Sequence, residues 1–349
     1  MENGVVNIAN RSRFPSIIIC LEDAGEMAAR LKREISIYEL HKGDGIKPRC
    51  IFSILKLLKN ERIALVHTHN WGTLCYAGPA AKLAGIKLIH GQHGLAPAEY
   101  PGRAAGYGFN LMVCKFVPVS MAISGKIKTA FGAKSKKIHP VINGVDTTCF
   151  RPDQQMRKKM RKDLGIDEDA YTLGFVGRLI DLKRPYYLPE IVKSLSDYQP
   201  PVHAVFIGIG PGEEKLCSLI RRLNVADRVH LLGFRSDMGQ VLQALDILVL
   251  PSEDYEGTPN VVLEAMACGI PTVACSLSGL KDLLINGSDG ILLPNSANPE
   301  DFAAAIHALI DTPARLPELS AACLRRCRRD FSLIRMIEEY DSIYGEILP

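Results

Sequence analysis

The 349-residue chain has no run of about 20 apolar residues, so it offers no apolar helix long enough to span a bilayer. Its first residues, MENGVVNIANRSRF, lack the basic-then-apolar layout of a secretory signal. Ten cysteines are present, but none forms C-x-x-C, and the closest pair, Cys323 and Cys327, lies one helical turn apart. Such scatter suits buried thiols in a reducing compartment rather than a disulfide framework. No His/Cys spacing marks a metal site either. The expectation is a cytoplasmic protein without a metal. Tryptophan occurs once and aromatics make up 7% of the chain, so the basic residues have no aromatic-interleaved platform for nucleic acid. The dinucleotide fingerprint G-x-G-x-x-G is missing too. GIGPG, at 208–212, comes nearest but lacks the last glycine of that spacing, which argues against a nicotinamide dehydrogenase.

What is present is uneven in charge. The net +4 divides into +10 for residues 1–150, with 20 Lys and Arg against 10 Asp and Glu, and −6 for the remainder, with 22 against 28. A basic half suits peripheral contact with an anionic membrane surface, or a phosphorylated acceptor. A solvated surface with an uneven share of lysines reads equally well.

Short β-rich runs alternate with amphipathic helical ones along most of the chain, the mark of βαβ units and parallel sheets. The first series of strands is SIIICL (16–21), ISIYEL (35–40), IALVHTH (63–69), IKLIHG (86–91), FVPVS (116–120) and KIHPVI (137–142), with a helix expected over GEMAARLKR. The second is YTLGFVG, HAVFIGIG, RVHLLGF, DILVLPS, IPTVAC and GILLP. The fold expected is α/β, with two Rossmann-like parallel-sheet domains facing across a cleft. They cover residues 1–150 and 151–330, with a seam near 143–155. A final helix over 331–349, with a stripe of Leu333, Ile334, Ile337, Tyr340, Ile343 and Tyr344, packs on its own domain or back across the cleft.

Ligands of open α/β sheets bind beyond the C-terminal ends of the strands. There GRLIDLKRP supplies Arg178 and Lys183, two cations on one post-strand loop that suit a diphosphate. Gly210, in the GIGPG turn, reads as a place where a ligand approaches backbone closely. EGTPNVVLE follows another strand, with Thr258 as helix cap, Pro259 as first helical residue and Gly269 closing a helix over 259–268. Gly257, Thr258, Pro259 and Asn260 place the amide end of that helix toward an anion. Glu256 and Glu264 flank it, and carboxylates there accept from hydroxyl groups. A nucleotide sugar satisfies the whole set: ribose on Glu264, diphosphate on Arg178, Lys183 and the helix end, hexose on Glu256. In the first half, His67, His69, His90 and His93 cluster after adjacent strands, and His93 is the candidate for positioning the acceptor or a sugar hydroxyl.

These residues resemble the retaining glycosyltransferases of family 4, with the GT-B fold. PSEDYEGTPNVVLEAMACGIPTVAC resembles that family's E-x7-E block, and GRLIDLKRP, GIGPG, RVHLLGFRSD and VINGVDTTCFRP follow in the family's order. VHTHN and HGQHG look closest to sugar transferases of bacterial exopolysaccharide loci. The resemblance implies a nucleotide-diphospho-sugar donor, a glycan or lipid-linked acceptor, retention of anomeric configuration and no required metal. Arg178 and Lys183 then hold the diphosphate, Glu256 the donor sugar and Glu264 the ribose. Two departures stand out: SGLKDLL replaces the family's G-G-x-x-E, and MENGVVNIANR reads as the family's first helix, as though a preceding central strand were missing. The expectation is either a mis-assigned start codon or a truncated, poorly active chain with a gap in its first sheet. Two other readings share the same residues, a nucleotide-sugar epimerase and a protein that binds nucleotide sugar without turnover.

Overall fold

The computed structural model describes residues 3–94, 102–253 and 258–348. The chain forms two compact units, Met1–Gly144 together with Leu333–Pro349, and Val145–Ser332.

The first unit runs α1 (Asn3–Arg11), β1 (Ile18–Cys20), β2 (Ile37–Glu39), α2 (Arg49–Asn60), β3 (Leu65–His69), α3 (Asn70–Ala84), β4 (Lys87–Gln92), α4 (Arg103–Asn110), β5 (Lys115–Pro118) and α5 (Met121–Phe131). β3, β4 and β5 make one parallel sheet, with Thr68 opposite His90 and Gly91 opposite both His69 and Val117. β1 and β2 pair with each other in a separate two-stranded sheet.

Two expected elements differ. GEMAARLKR forms only a 3-10 turn over Glu26–Arg30, and the chain is extended at Leu31. The Asn10 side chain, from α1, donates to the Arg30 carbonyl at 2.8 Å and accepts from the Lys32 N–H at 2.9 Å, holding backbone that a helix would need for itself. KIHPVI is not a strand either. It makes a single bridge, Phe116 to Ile138, because Pro118 of β5 has no N–H to donate back to the His139 carbonyl, although the Val141 N–H still donates to the Pro118 carbonyl at 3.0 Å.

The second unit runs α6 (Gln154–Leu164), β6 (Tyr171–Val176), α7 (Tyr187–Ser194), β7 (Val202–Ile207), α8 (Glu213–Leu223), β8 (Val229–Leu231), α9 (Met238–Val241), β9 (Ile247–Leu250), α10 (Asn260–Ala267), β10 (Thr272–Cys275), α11 (Leu280–Leu283), β11 (Gly290–Leu293), α12 (Pro299–Ile310) and α13 (Arg315–Asp330). Its six parallel strands are ordered β11-β10-β9-β6-β7-β8. Numbered from β6, that is the 3-2-1-4-5-6 order of the doubly wound nucleotide-binding sheet, whose direction of winding reverses between β6 and β9. Helices cover both faces, so β9 and β10, ILVL and TVAC, are buried throughout. The start of β9 is pinned by Asp246. Its carboxylate accepts from Arg157 at 2.5 Å and from the fully buried Arg161 at 2.6 Å, both on α6.

The last helix, α14 (Leu333–Ile347), returns to the first unit. Leu333, Met336, Ile337, Tyr340, Ile343 and Tyr344 are buried against Ile89, Val117, Val141 and Ile8 of α1. Ile334, expected in that stripe, is 66% exposed, and Met336 takes the place at the helical spacing that faces the sheet.

Candidate functional site

In the second unit the sheet's reversal lies between the loops that leave β6 and β9. Those loops are joined directly, because the Glu253 N–H donates to the Leu182 carbonyl at 2.9 Å. Arg184, in the left-handed conformation at φ +47, adds an ion pair with Glu253 at 3.3 Å. Arg178 is exposed at the exit of β6, and Lys183 is half-buried. A Cβ at Gly177 would lie 3.1 Å from the Lys183 ammonium nitrogen, so that ammonium rests on the backbone just before Arg178. Two cations thus attend one strand end at the reversal.

The GIGPG turn has a different explanation from the expected one. A Cβ at Gly208, at φ +139, would lie 2.0 Å from the Gly177 carbonyl oxygen, and one at Gly210 would lie 2.6 Å from the Leu179 carbonyl oxygen. The close approach that demands these glycines is made by the neighbouring loop. The β6–β7 pairing runs on past the strand ends through Gly177 N–H to the Ile207 carbonyl, 2.9 Å, and Leu179 N–H to the Ile209 carbonyl, 3.1 Å. The turn therefore fixes the shape of the Arg178 loop.

Glu256 and Gly257 lie outside the described residues. The helix after them begins one residue later than expected and is one residue shorter at its end. Pro259 is its cap, with ψ 111, and Asn260 is its first residue. Pro259 is buried, Thr258 half-buried and Asn260 exposed. Glu264 is half-buried one turn beyond Asn260, on the same face of α10. Ser252 carries no signal in the sequence that singles it out. It lies just beyond β9, buried, and its hydroxyl has no hydrogen-bond partner among the described residues.

In the first unit, strand alternation sorts the histidines onto two faces. Thr68, His90 and Gln92 point one way. His90 is fully buried, with Nδ1 2.9 Å from the Thr68 hydroxyl and Nε2 3.2 Å from the Gln92 side-chain oxygen, and is a satisfied core residue. Burial pushes its imidazole down to about 3. His67, His69 and His93 lie on the α14 face, where Gly91 leaves them room. A Cβ there would meet His67 Nε2 at 3.1 Å, His69 Nδ1 at 3.3 Å and His93 Nε2 at 3.5 Å. His69 Nδ1 and His93 Nε2 are hydrogen-bonded at 2.9 Å, and the Tyr344 hydroxyl is 2.8 Å from His67 Nδ1. Burial, then the neighbouring imidazoles, push His67 down to about 3 and His69 well below its ordinary value. Burial also holds the Tyr344 phenol well above its own. Among the described residues, Asp23, Glu39 and His41 are spaced to hold a metal ion, but all are exposed, and His41 already pairs with Asp23 at 2.8 Å.

Residues 156–326 match the family model for glycosyl transferases group 1, and residues 9–148 match that for glycosyltransferase family 4. The chain is a glycosyltransferase of the GT-B fold. An Escherichia coli protein named UDP-Gal:alpha-D-GlcNAc-diphosphoundecaprenol alpha-1,3-galactosyltransferase is 27% identical to it over 312 residues, 86% of this chain and 80% of that one. A D-inositol 3-phosphate glycosyltransferase of Thermomonospora curvata is 28% identical over 309 residues, 79% of this chain and 70% of the other. Among solved structures, Anabaena Alr3699/HepE in complex with UDP superposes with a TM-score of 0.86 at 19% identity, covering 98% of this chain and 95% of that one. A glycosyltransferase from Rickettsia africae gives 0.86 at 18%, covering 99% and 94%. In this GT-B chain the Rossmann-ordered sheet with its cation pair belongs to the second unit, and the histidine face belongs to the first.

Proposed function

We propose that the enzyme transfers a sugar from a nucleotide-diphospho-sugar to a glycan or lipid-linked acceptor, with retention of anomeric configuration. The observation that carries this reading is the Lys183 ammonium folded onto Gly177 beside Arg178, at the reversal point of the second unit's sheet. Arg178 and Lys183 bind the diphosphate, and the amide end of α10, from Thr258 to Asn260, adds the positive end of the helix dipole. Glu264 accepts from the ribose hydroxyls, and Glu256, with Gly257, serves the transferred sugar. His93 is assigned to positioning the acceptor or a sugar hydroxyl. Two of the comparisons support this donor and acceptor chemistry: the name of the Escherichia coli relative contains UDP-Gal and a diphosphoundecaprenol acceptor, and the Anabaena protein has been solved with UDP-glucose.

In the retaining step the acceptor hydroxyl attacks the anomeric carbon from the side that the diphosphate leaves. The carbon–phosphate oxygen bond breaks as the new glycosidic bond forms, and the hydroxyl proton passes to the departing phosphate oxygen. The protein's part is to position the reactants and to stabilise charge on the leaving group. No helix among the described residues is long and apolar enough to cross a membrane. A lipid-linked acceptor is reached instead by peripheral contact from the basic first unit, where Ile46 and Phe52 stand 86% and 66% exposed near Lys47, Lys56 and Lys59. This contact places the enzyme at the inner face of the membrane.

Thermal-shift and calorimetric titration with a panel of nucleotide sugars tests the donor assignment. A matching donor should bind the wild type, and Arg178→Ala with Lys183→Ala should weaken it by about a hundredfold or more, since charged hydrogen bonds contribute about 1.5–3 kcal/mol each. Unchanged donor affinity in the double variant would sink the assignment. Product anomers read by NMR decide retention.

A further inference from the structure

His67 is the unexplained member of the histidine face. Its Nε2 is shut off from solvent and has no hydrogen-bond partner among the described residues, an unfavourable state for a buried polar atom. That nitrogen points at the same spot above Gly91 as His69 Nδ1 and His93 Nε2, and the His67 and His69 rings are centred 4.1 Å apart. His67 and His69 are held neutral, so each carries one N–H. The Tyr344 phenol keeps its proton and has His67 Nδ1 within 2.8 Å. If Tyr344 donates to Nδ1, the His67 proton must sit on Nε2. If His93 Nε2 carries its proton as well, two N–H groups, on His67 and His93, compete for one acceptor, His69 Nδ1. In this structure His93 holds it, at 2.9 Å.

We propose that His67 and Tyr344 are positioning residues: Tyr344 sets the His67 tautomer so that His67 Nε2–H takes over His69 Nδ1 when His93 turns its own N–H to a substrate oxygen. His69 stays bonded in both arrangements, and the orphaned nitrogen of the resting state gains its partner at the moment His93 is needed elsewhere. Gly91 is what lets two imidazoles share one acceptor on the third, because any side chain would fill the point of exchange. The proposal rests on the reading that His93 positions the acceptor or a sugar hydroxyl. It adds a contribution from the C-terminal helix, 277 residues away from His67 in sequence.

Long-range proton–nitrogen NMR of the ligand-free full chain reads the tautomers. The expected wild-type pattern has the proton on Nε2 of both His67 and His93, with His69 Nδ1 bare. Tyr344→Phe should turn His67 into a mixture. A wild-type His67 protonated on Nδ1, or an unchanged pattern in Tyr344→Phe, overturns the proposal. The second arm is kinetic. His67→Gln places an amide N–H near the Nε2 position, whereas His67→Asn keeps only a group facing Tyr344. Tyr344→Phe and His67→Asn should lower kcat by about tenfold or more, with donor KM within about twofold of wild type, and His67→Gln should retain most of kcat. Equal losses in the two His67 variants, or none, overturn it. Tautomers are read without substrate, so a chain that turned over no nucleotide sugar would defeat the functional reading while leaving this test intact.

Discussion

Gly208 faces the carbonyl oxygen of Gly177 so closely that a Cβ would lie 2.0 Å from it, and Gly208 holds φ +139 as well. Backbone on both sides leaves nothing flexible to move. Gly208→Ala should therefore spread the loops leaving β6 and β7, costing about 2 kcal/mol or more in urea unfolding. It should weaken nucleotide binding in the same variant, because the displaced loop carries Arg178. A variant with wild-type stability would show that the two loops are not packed as described.

Gly91→Ala makes a contrasting case. Its Cβ would sit 3.1 Å from His67 Nε2 and 3.3 Å from His69 Nδ1, contacts that side-chain rotation can relieve. Stability should change by less than about 1 kcal/mol, while transfer falls far more steeply, by about a hundredfold if the rings are displaced by an ångström. Parallel denaturation and steady-state kinetics separate the two effects.

Glu264 and Lys183 should separate by ligand. With Glu264→Gln, affinity for a nucleoside monophosphate and for its diphosphate should fall alike, because both carry the ribose. With Lys183→Ala, the diphosphate should lose about 1.5–3 kcal/mol and the monophosphate less. Titration calorimetry with both ligands checks this, and the opposite pattern would exchange the two assignments.

Acid should loosen the first unit. His67 and His90 ionise near 3 when folded, against an ordinary 6.5, so the unfolded chain takes up protons that the folded chain refuses. Their contribution is complete above about pH 6.5 and declines toward pH 3, by about 1 kcal/mol per pH unit for each histidine. Urea midpoints measured across that window check the slope. A flat profile would mean that these imidazoles are not buried as described.

Removing Asp246 should leave the Arg157 and Arg161 guanidiniums without their counter-charge beneath β9. Asp246→Ala is expected to destabilise the second unit by about 3–5 kcal/mol. Arg157→Ala should cost less, since Arg161 keeps the carboxylate paired. Chemical denaturation of the two variants gives the comparison.

The strands of both units were legible because buried parallel strands read as short apolar runs, ILVL and TVAC most plainly. KIHPVI misled, since its apolar residues promised a ladder that Pro118 of β5, with no N–H to donate, interrupts. The helix QQMRKKMRKDL reads as solvated charge, yet Arg161 is among the most buried large side chains, because its neutralising partner, Asp246, is 85 residues further on. The cations after β6 were legible from their place after a strand, but the role of Gly208 was not, because its demand comes from the backbone of another loop. The histidine face was half legible. Alternation in VHTH and IHGQH sorts the rings, but no local pattern announces Tyr344.

The return of α14 to the first unit also bears on synthesis. A ribosome completes residues 145–332 before the segment that covers Ile89, Val117 and Val141 has been made. The later-encoded body is thus free to fold first, as domains generally fold as units. The earlier one must hold an apolar surface open until the final helix emerges, so a chaperone that shields nascent chains would be needed chiefly by the half made first.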